Sequence, residues 1–354
     1  MTLRKPVLLS IVLFFCAYTF YSNAKDLSEA IRYRPSQLTP QNVAVIYNEN
    51  DPKSVEVAKY YVAARQIPEK NVIPVKFSTD SPANLSVEEF TSFKQKVEKH
   101  LDDNIDVIVM VWTTPYAVMC NSITSAMTLG FDAKQCENTC SAGKPSPYFN
   151  SASLHPYQDH KLRISMLLPT NSVASAKSLI DRSVLSAFSL SEGTGYFLKT
   201  NDAARSKPRE PFFPSDLSTV ENRKLYLRTL KTDAIRDKKD VMFYFTGQAI
   251  VEHLDTLNFL PGAIADHLTS AGGNLDSAFQ MPSTKWIEAG ATGSYGAVSE
   301  PCNYWQKFPN PQVVLLHYLA GESLIEAYWK SVAWPSQGVF IGEPLAAPYK
   351  RISN

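Results

Sequence analysis

Cys302 is the residue whose surroundings best suit a nucleophile. It follows a glycine-rich stretch, and Glu300 precedes it by two positions. A cysteine attacks as a thiolate, so a nearby base or cation must lower its pKa from about 8.5. His253 and His267 both follow the predicted strand at residues 240–245 and are the candidate bases. If the protein is an enzyme, this set predicts peptide or amide hydrolysis.

The same residues also have simple structural interpretations. Cys302 would equally well be buried or joined in a disulfide. His267 lies within Ala265-Asp266-His267-Leu268, where it would be a helix residue paired with a neighbouring carboxylate. The sequence leaves these alternatives open.

Other chemistries have weaker support. Thr292-Gly-Ser-Tyr-Gly296 differs from G-x-S-x-G at its first position, and no helix start follows it. Its glycines would form an anion-binding nest or, more simply, a tight turn. His155 and His160, with Asp159, lack the spacing of helical zinc ligands. We therefore predict no metal and no cofactor.

The carboxyl ends of the strands are the expected place for a site, because open parallel sheets bind ligands there. Residues 246–255, 266–270 and 292–302 are predicted to meet at this edge. The candidate binding residues on it are Gln248, Asp266, Ser270, Ser294 and Glu300.

The elements that must position these residues alternate between strands and helices. Residues 43–47, 71–75 and 106–112 are apolar runs typical of strands, and a helix separates the last two. That helix begins at Ser86, with Glu89 completing a capping box. Buried strands separated by helices indicate an α/β fold, mainly a parallel sheet with helices on both faces.

The alternation of strands and helices is interrupted twice, and these interruptions suggest how the chain is divided into subdomains. Residues 113–160, rich in Pro, Ser and Asn, form a long excursion within a predicted N-terminal subdomain at 25–200. A loop or boundary at 201–216 precedes a C-terminal subdomain at 217–354, which is predicted to begin with a helix at 217–236.

The first 24 residues predict a cleavable secretory signal. Arg4 and Lys5 precede an uncharged stretch at residues 7–20, and small residues lead to Ala24. This fourteen-residue stretch is too short for a membrane span, which needs about 20 apolar residues, so we expect a soluble periplasmic or secreted protein. Without Arg4 and Lys5, the 35 basic and 34 acidic residues become 33 and 34. A net charge of −1 argues against nucleic-acid and anionic-membrane partners.

Four cysteines remain after the signal is removed. In an oxidising compartment, an even number predicts two disulfides with three possible pairings, and at least one local bridge within residues 120–140 is the leading choice. A four-thiolate zinc site is the alternative, although the usual pair of C-x-x-C motifs is absent. The disulfide candidates are Cys120, Cys136, Cys140 and Cys302.

Several segments resemble a family of exported bacterial proteins with no assigned activity. They are Asn50-Asp51-Pro52 and residues 117–132, 259–273, 290–302 and 340–349. The resemblance covers most of the mature chain.

A second, weaker resemblance is to the gingipain-type cysteine peptidases. It rests on residues 243–247, Gly290-Ala-Thr-Gly293, Gly321-Glu-Ser-Leu324 and Gly342-Glu343-Pro344, in that order. It implies the caspase-like, three-layer α/β fold. That family uses a His-Gly pair after one strand and a cysteine after the next. Here Thr246-Gly247-Gln248 has no histidine, and no cysteine lies between residues 248 and 290.

Two hypotheses follow. The first is an exported caspase-like protein that is either catalytically degenerate or uses a relocated Cys302 dyad. The second is a non-catalytic binding or assembly module for a peptide, a glycan or a surface partner. Only the active dyad requires a free Cys302 thiol. The state of that thiol therefore distinguishes it from a degenerate protein and from a binding module.

Overall fold

The computed structural model describes residues 30–78, 83–187 and 190–350. The predicted signal, residues 1–24, lies outside these ranges. Within them, no helix combines the length and the apolar character that a membrane crossing demands.

Strands and helices alternate along most of the described chain. The strands are β1 (Val43–Asn48), β2 (Val72–Val75), β3 (Asn84–Leu85), β4 (Val107–Val111), β5 (Ala117–Val118), β6 (Asn121–Ser122), β7 (Ile164–Leu168), β8 (Gly193–Lys199), β9 (Ser218–Val220), β10 (Leu225–Lys231), β11 (Val241–Thr246), β12 (Phe259–His267), β13 (Gly293–Ala297) and β14 (Gly338–Gly342). The α-helices are α1 (Pro52–Arg65), α2 (Val87–Glu98), α3 (Ile123–Leu129), α4 (Ala133–Glu137), α5 (Pro156–His160), α6 (Val173–Leu185), α7 (Ala203–Ser206), α8 (Thr284–Ala289), α9 (Pro311–Leu319) and α10 (Leu324–Ser331).

Eleven of the described strands form one sheet, in the order β2-β1-β4-β7-β14-β13-β12-β11-β8-β10-β9. The first five are mutually parallel, and we call them the first half. The second half runs from β13 to β9; its strands are parallel except for β9 at the edge. β13 and β14 meet antiparallel.

The centre of the sheet is covered on both faces. β4 and β7 are buried over their whole lengths. Because successive side chains of a strand point to opposite faces, full burial requires cover on each side. α3 and α10 contact β7, and α1 packs against α6. The predicted α/β fold, with a mainly parallel sheet and helices on both faces, is confirmed.

The prediction of a helix at residues 217–236 is wrong. This segment forms β9 and β10, joined by a 3-10 turn at Glu221–Arg223. Leu225 and Leu227 are buried, whereas Tyr226 between them is 45% exposed. That two-residue alternation belongs to a strand with one covered face. β8 supplies the pairing partner along the whole of β10.

The excursion at residues 113–160 contains β5, β6 and the helices α3 to α5. β5 and β6 form a separate small sheet with β3. β8, assigned from the sequence to the N-terminal subdomain, pairs with β10 and β11 in the second half. The subdomain boundary at 201–216 stays a prediction.

Candidate functional site

The carboxyl edge of the second half lies beneath a loop of the chain itself. Residues 201–209, which we call the edge loop, follow β8 and contain α7. A Cβ added to Gly247, just after β11, would lie 2.2 Å from the carbonyl oxygen of Arg205. Glycine at this position therefore lets the loop backbone rest directly on the strand end.

Arg209 fastens the edge loop to the sheet from inside. Its Nη1 pairs with the carboxylate of Asp266, and its Nη2 donates to the carbonyl of Thr246 over 2.6 Å. Both members of the ion pair are 1% exposed. The hydroxyl of Tyr328 donates to Asp266 Oδ2 over 3.3 Å. Asp266, a predicted binding residue, is thus enclosed and holds the loop.

The environment of Asp266 combines two opposing effects. Burial raises the pKa of its carboxyl group, and the positive charge and hydrogen bond of Arg209 oppose that rise. A buried carboxylate is costly without such a partner. The pair therefore links the position of the edge loop to the ionisation of the Asp266 carboxyl group on β12.

His267 is the last residue of β12, so the interpretation of it as a helix residue is wrong. Its Nε2 lies 3.0 Å from the carbonyl of Met281, and its Nδ1 accepts a hydrogen bond from Trp286 Nε1 over 2.9 Å. These partners require a neutral ring with its proton on Nε2. Burial lowers the pKa of His267 to about 3. Both ring nitrogens are occupied, which leaves none free to accept a proton from a nucleophile.

All four cysteines of the described residues lie in disulfides. Cys120 pairs with Cys136, the expected local bridge, and Cys140 pairs with Cys302 across 162 positions of sequence. A sulfur bonded to sulfur has no thiolate to attack a substrate. Glu300 is nevertheless close, because its Oε1 accepts the amide hydrogen of Cys302 over 2.8 Å.

His253, the other candidate base, belongs to a different neighbourhood. Its Nε2 lies 2.7 Å from Arg236 Nη2 and 3.6 Å from Glu252 Oε2. Among the described contacts, neither His253 nor His267 is hydrogen-bonded to Cys302. The structure thus does not assemble the proposed dyad.

The other predicted binding residues differ in accessibility. Ser294 is fully buried on β13, and its hydroxyl has no hydrogen-bond partner among the described residues. Gln248 and Ser270 are partly exposed beyond β11 and β12, and Glu300 is exposed. Gln248, Ser270 and Glu300 therefore remain reachable by a ligand, and Ser294 does not.

A groove that the sequence did not suggest runs along the outer side of the edge loop. It is a shallow depression, largely open to solvent, with a volume of about 530 Å³. Ala203, Ala204, Lys207 and Pro208 form one wall, and residues 303–306 form the other. The only sequence signal for it is the aromatic pair Tyr304-Trp305, which begins two residues after Cys302.

Other aromatic side chains pack against Tyr304 and Trp305, the aromatic wall of the groove. Trp305 packs on Phe212 with 4.7 Å between ring centroids, and Tyr304 packs on Trp334 at 5.7 Å. Lys307 donates to the carbonyl of Thr139 over 2.6 Å, and burial lowers its pKa to about 8. The Cys140–Cys302 bridge adds a covalent tie just before this wall.

Within residues 30–78, 83–187 and 190–350, no group of three or more His, Cys, Asp or Glu side chains is arranged to hold a metal ion. His155 and His160 belong to the start and end of α5, and His160 Nε2 is 3.1 Å from the hydroxyl of Ser151.

Comparisons with known proteins address the fold. No protein-family model and no curated protein matches the chain. A solved structure described as "Structure of Protease" is similar, with a TM-score of 0.50 and 10% identity over 89% of this chain and 80% of that chain. The complex of Porphyromonas gingivalis RgpB pro- and mature domains aligns with a TM-score of 0.45 and 10% identity, over 86% and 79%. At this identity the first likeness shows a shared fold and carries no activity.

Proposed function

We propose that this protein is an exported binding module, built on a peptidase-like fold that has lost cysteine-peptidase chemistry. The observation that carries the proposal is the closed carboxyl edge of the second half. Arg209 is buried between Thr246 and Asp266, and the edge loop lies against Gly247. Ligands of open parallel sheets normally bind at that edge, so a ligand here meets the outer surface of the loop instead.

The state of the candidate catalytic groups supports the same proposal. Nucleophilic catalysis needs a thiolate within hydrogen-bond reach of a base. Cys302 is bridged to Cys140, and both nitrogens of His267 have partners. The relocated dyad of Cys302 with His267 or His253 therefore lacks both its thiol and its free base.

Export is the second part of the proposal. Two disulfides are typical of proteins that fold in an oxidising compartment, and they agree with the secretory signal predicted at residues 1–24. The resemblance to exported bacterial proteins points the same way. Amino-terminal sequencing of the protein recovered from the periplasm or medium should begin at Lys25; retention of Met1 in the cytoplasm would contradict export.

Thiol labelling tests the loss of catalysis. We expect the native, unreduced protein to take up no iodoacetamide and the reduced, unfolded protein to take up four adducts, as read by intact mass. We also expect no cleavage of casein or of a fluorogenic peptide library by the parent protein.

Cys140→Ser and Cys302→Ser make a matched pair for the same assay. The first variant leaves the Cys302 sulfur free, and the second removes it. Neither should cleave peptides. Cleavage by the parent or by Cys140→Ser that Cys302→Ser abolishes would overturn the proposal in favour of a cysteine peptidase.

A further inference from the structure

The groove beside the edge loop combines surfaces of three chemical kinds. Ala203 and Ala204 present methyl groups, Tyr304 and Trp305 present aromatic rings, and Lys207 presents an ammonium group. Tyr304 is 40% exposed although it packs on Trp334. Such a mixture, largely apolar with a few polar groups, is what small binding sites have in common.

The charge of the groove is positive. Among the described residues that line it, none carries a carboxylate. Acidic residues near the two walls are already engaged: Asp202 pairs with Arg205 at 2.7 Å, Glu210 accepts from Ser206 at 2.6 Å, and Glu300 accepts the amide hydrogen of Cys302 at 2.8 Å. Lys207 is exposed and forms no ion pair with the described part of the chain. An anionic ligand would therefore meet an uncompensated cation.

The backbone around the groove does not suit an extended peptide. A peptide that adds to a sheet needs an unpaired strand edge. The walls here are α7 and the 3-10 turn Trp305–Lys307, and the nearby strands β8, β11, β12 and β13 are paired on both sides. A peptide could therefore not bind here by forming backbone hydrogen bonds with a free strand edge.

Side-chain amides flank the rings. Asn303 and Gln306 flank Tyr304 and Trp305 in the sequence and also line the groove, although Asn303 Oδ1 itself is buried. Amides next to exposed rings match a sugar, whose flat C–H face packs on an aromatic ring while its hydroxyl groups need donors and acceptors. The Lys207 ammonium completes the match when the sugar carries a carboxylate.

We propose that this groove binds a glycan containing carboxylate-bearing sugars, through Tyr304, Trp305 and Lys207. The inference rests on the proposed binding function and names the ligand class of that site. The wall is rigid before the ligand arrives, because the Cys140–Cys302 bridge and the backbone hydrogen bond of 2.7 Å from Trp334 to Gln306 hold it. Such preorganisation lowers the entropic cost of binding.

Titration calorimetry on the disulfide-intact protein tests this. The probes are oligomers of galacturonate, mannuronate and glucuronate, each beside its neutral methyl ester. We expect at least one acidic oligomer to bind and its ester to bind more weakly. Tyr304→Ala should weaken that binding about tenfold, as truncation of a central aromatic contact does, and Lys207→Gln should weaken the acid but not the ester.

Matched controls lie on β10, away from the groove. Tyr226→Ala removes another exposed tyrosine and Lys231→Gln another exposed lysine, and both should bind as the parent does. Failure of every acidic oligomer to bind would overturn the inference, as would unchanged binding in Tyr304→Ala or preferential binding of a poly-glutamate peptide. These outcomes are separate from thiol labelling and peptide cleavage, which alone decide the proposed loss of catalysis.

Discussion

Each half of the sheet contains a buried carboxylate paired with an arginine, but the two pairs are built differently. In the first half, Arg65 on α1 donates to both oxygens of Glu343, over 2.9 and 2.6 Å, and Tyr61 adds a third hydrogen bond at 3.0 Å. In the second half, Arg209 divides its donors between Asp266 and the carbonyl of Thr246.

The difference lies in what each arginine holds. Arg65 joins a helix of the covering layer to the end of β14, so this pair belongs to the general packing of the fold. Arg209 holds a loop across the ends of β11 and β12. The carboxyl edge of the second half is therefore closed by one segment, and the groove beside that segment is the surface we propose for a ligand.

The disulfides sharpen this comparison, because only one of them joins the halves. Cys140, in the excursion that follows β6, is bridged to Cys302 after β13, whereas Cys120–Cys136 lies within the excursion. Loop-closure entropy predicts a loss of about 5 kcal/mol for Cys140→Ser/Cys302→Ser and about 3 kcal/mol for Cys120→Ser/Cys136→Ser. Urea unfolding measures both. Equal losses would mean that the long bridge constrains the unfolded chain no more than the short one does.

The two arginines give the next test. Arg209→Met leaves Asp266 buried without its partner, which should cost about 3–5 kcal/mol of unfolding free energy. Arg65→Met should cost less, about 2 kcal/mol, because the Arg65 side chain is 11% exposed and water reaches its pair. Both are read from denaturant unfolding.

A second substitution checks the cause. Adding Asp266→Asn to Arg209→Met removes the unpaired carboxylate, so the double variant should regain part of the lost stability. If Arg209→Met lowers the unfolding free energy by less than Arg65→Met does, backbone contacts hold the edge loop. The proposed difference between the two arginine–carboxylate pairs would then be wrong.

Local patterns predicted the first half of the sheet well. The apolar runs of β1 and β4 and the helix α1 carry their own signals. Ser86 caps α2 as expected: its hydroxyl accepts from Glu89 N over 3.2 Å, and Glu89 accepts from Ser86 N over 2.9 Å. Interactions between residues close in sequence are what periodicity and capping rules describe.

Sequence patterns did not predict the parts of the second half whose structure depends on residues distant in the sequence. β12 contains Pro261 and Gly262, which disfavour strands, and it ends in two ionisable residues. Asp266 depends on Arg209, 57 positions away, and His267 on Trp286, 19 positions away. No local pattern encodes these partners, and the groove depends on the same folding of the edge loop against residues 303–306.

The smallest expected effect concerns His267 at the end of β12. Its pKa is about 3 in the folded protein, against about 6.5 in an unfolded chain. Between these values the unfolded state binds one more proton, so stability falls as the pH drops below about 6.5 and stops falling near pH 3. The slope is about 1.4 kcal/mol per pH unit, or about 2 kcal/mol between pH 7 and pH 5.

His267→Gln keeps a donor and an acceptor but cannot take up a proton. Urea unfolding at both pH values should show the variant losing about 2 kcal/mol less than the parent. Equal losses in the two proteins would mean that the histidine is solvated and free to act as a base, which would reopen the question of chemistry at the second edge.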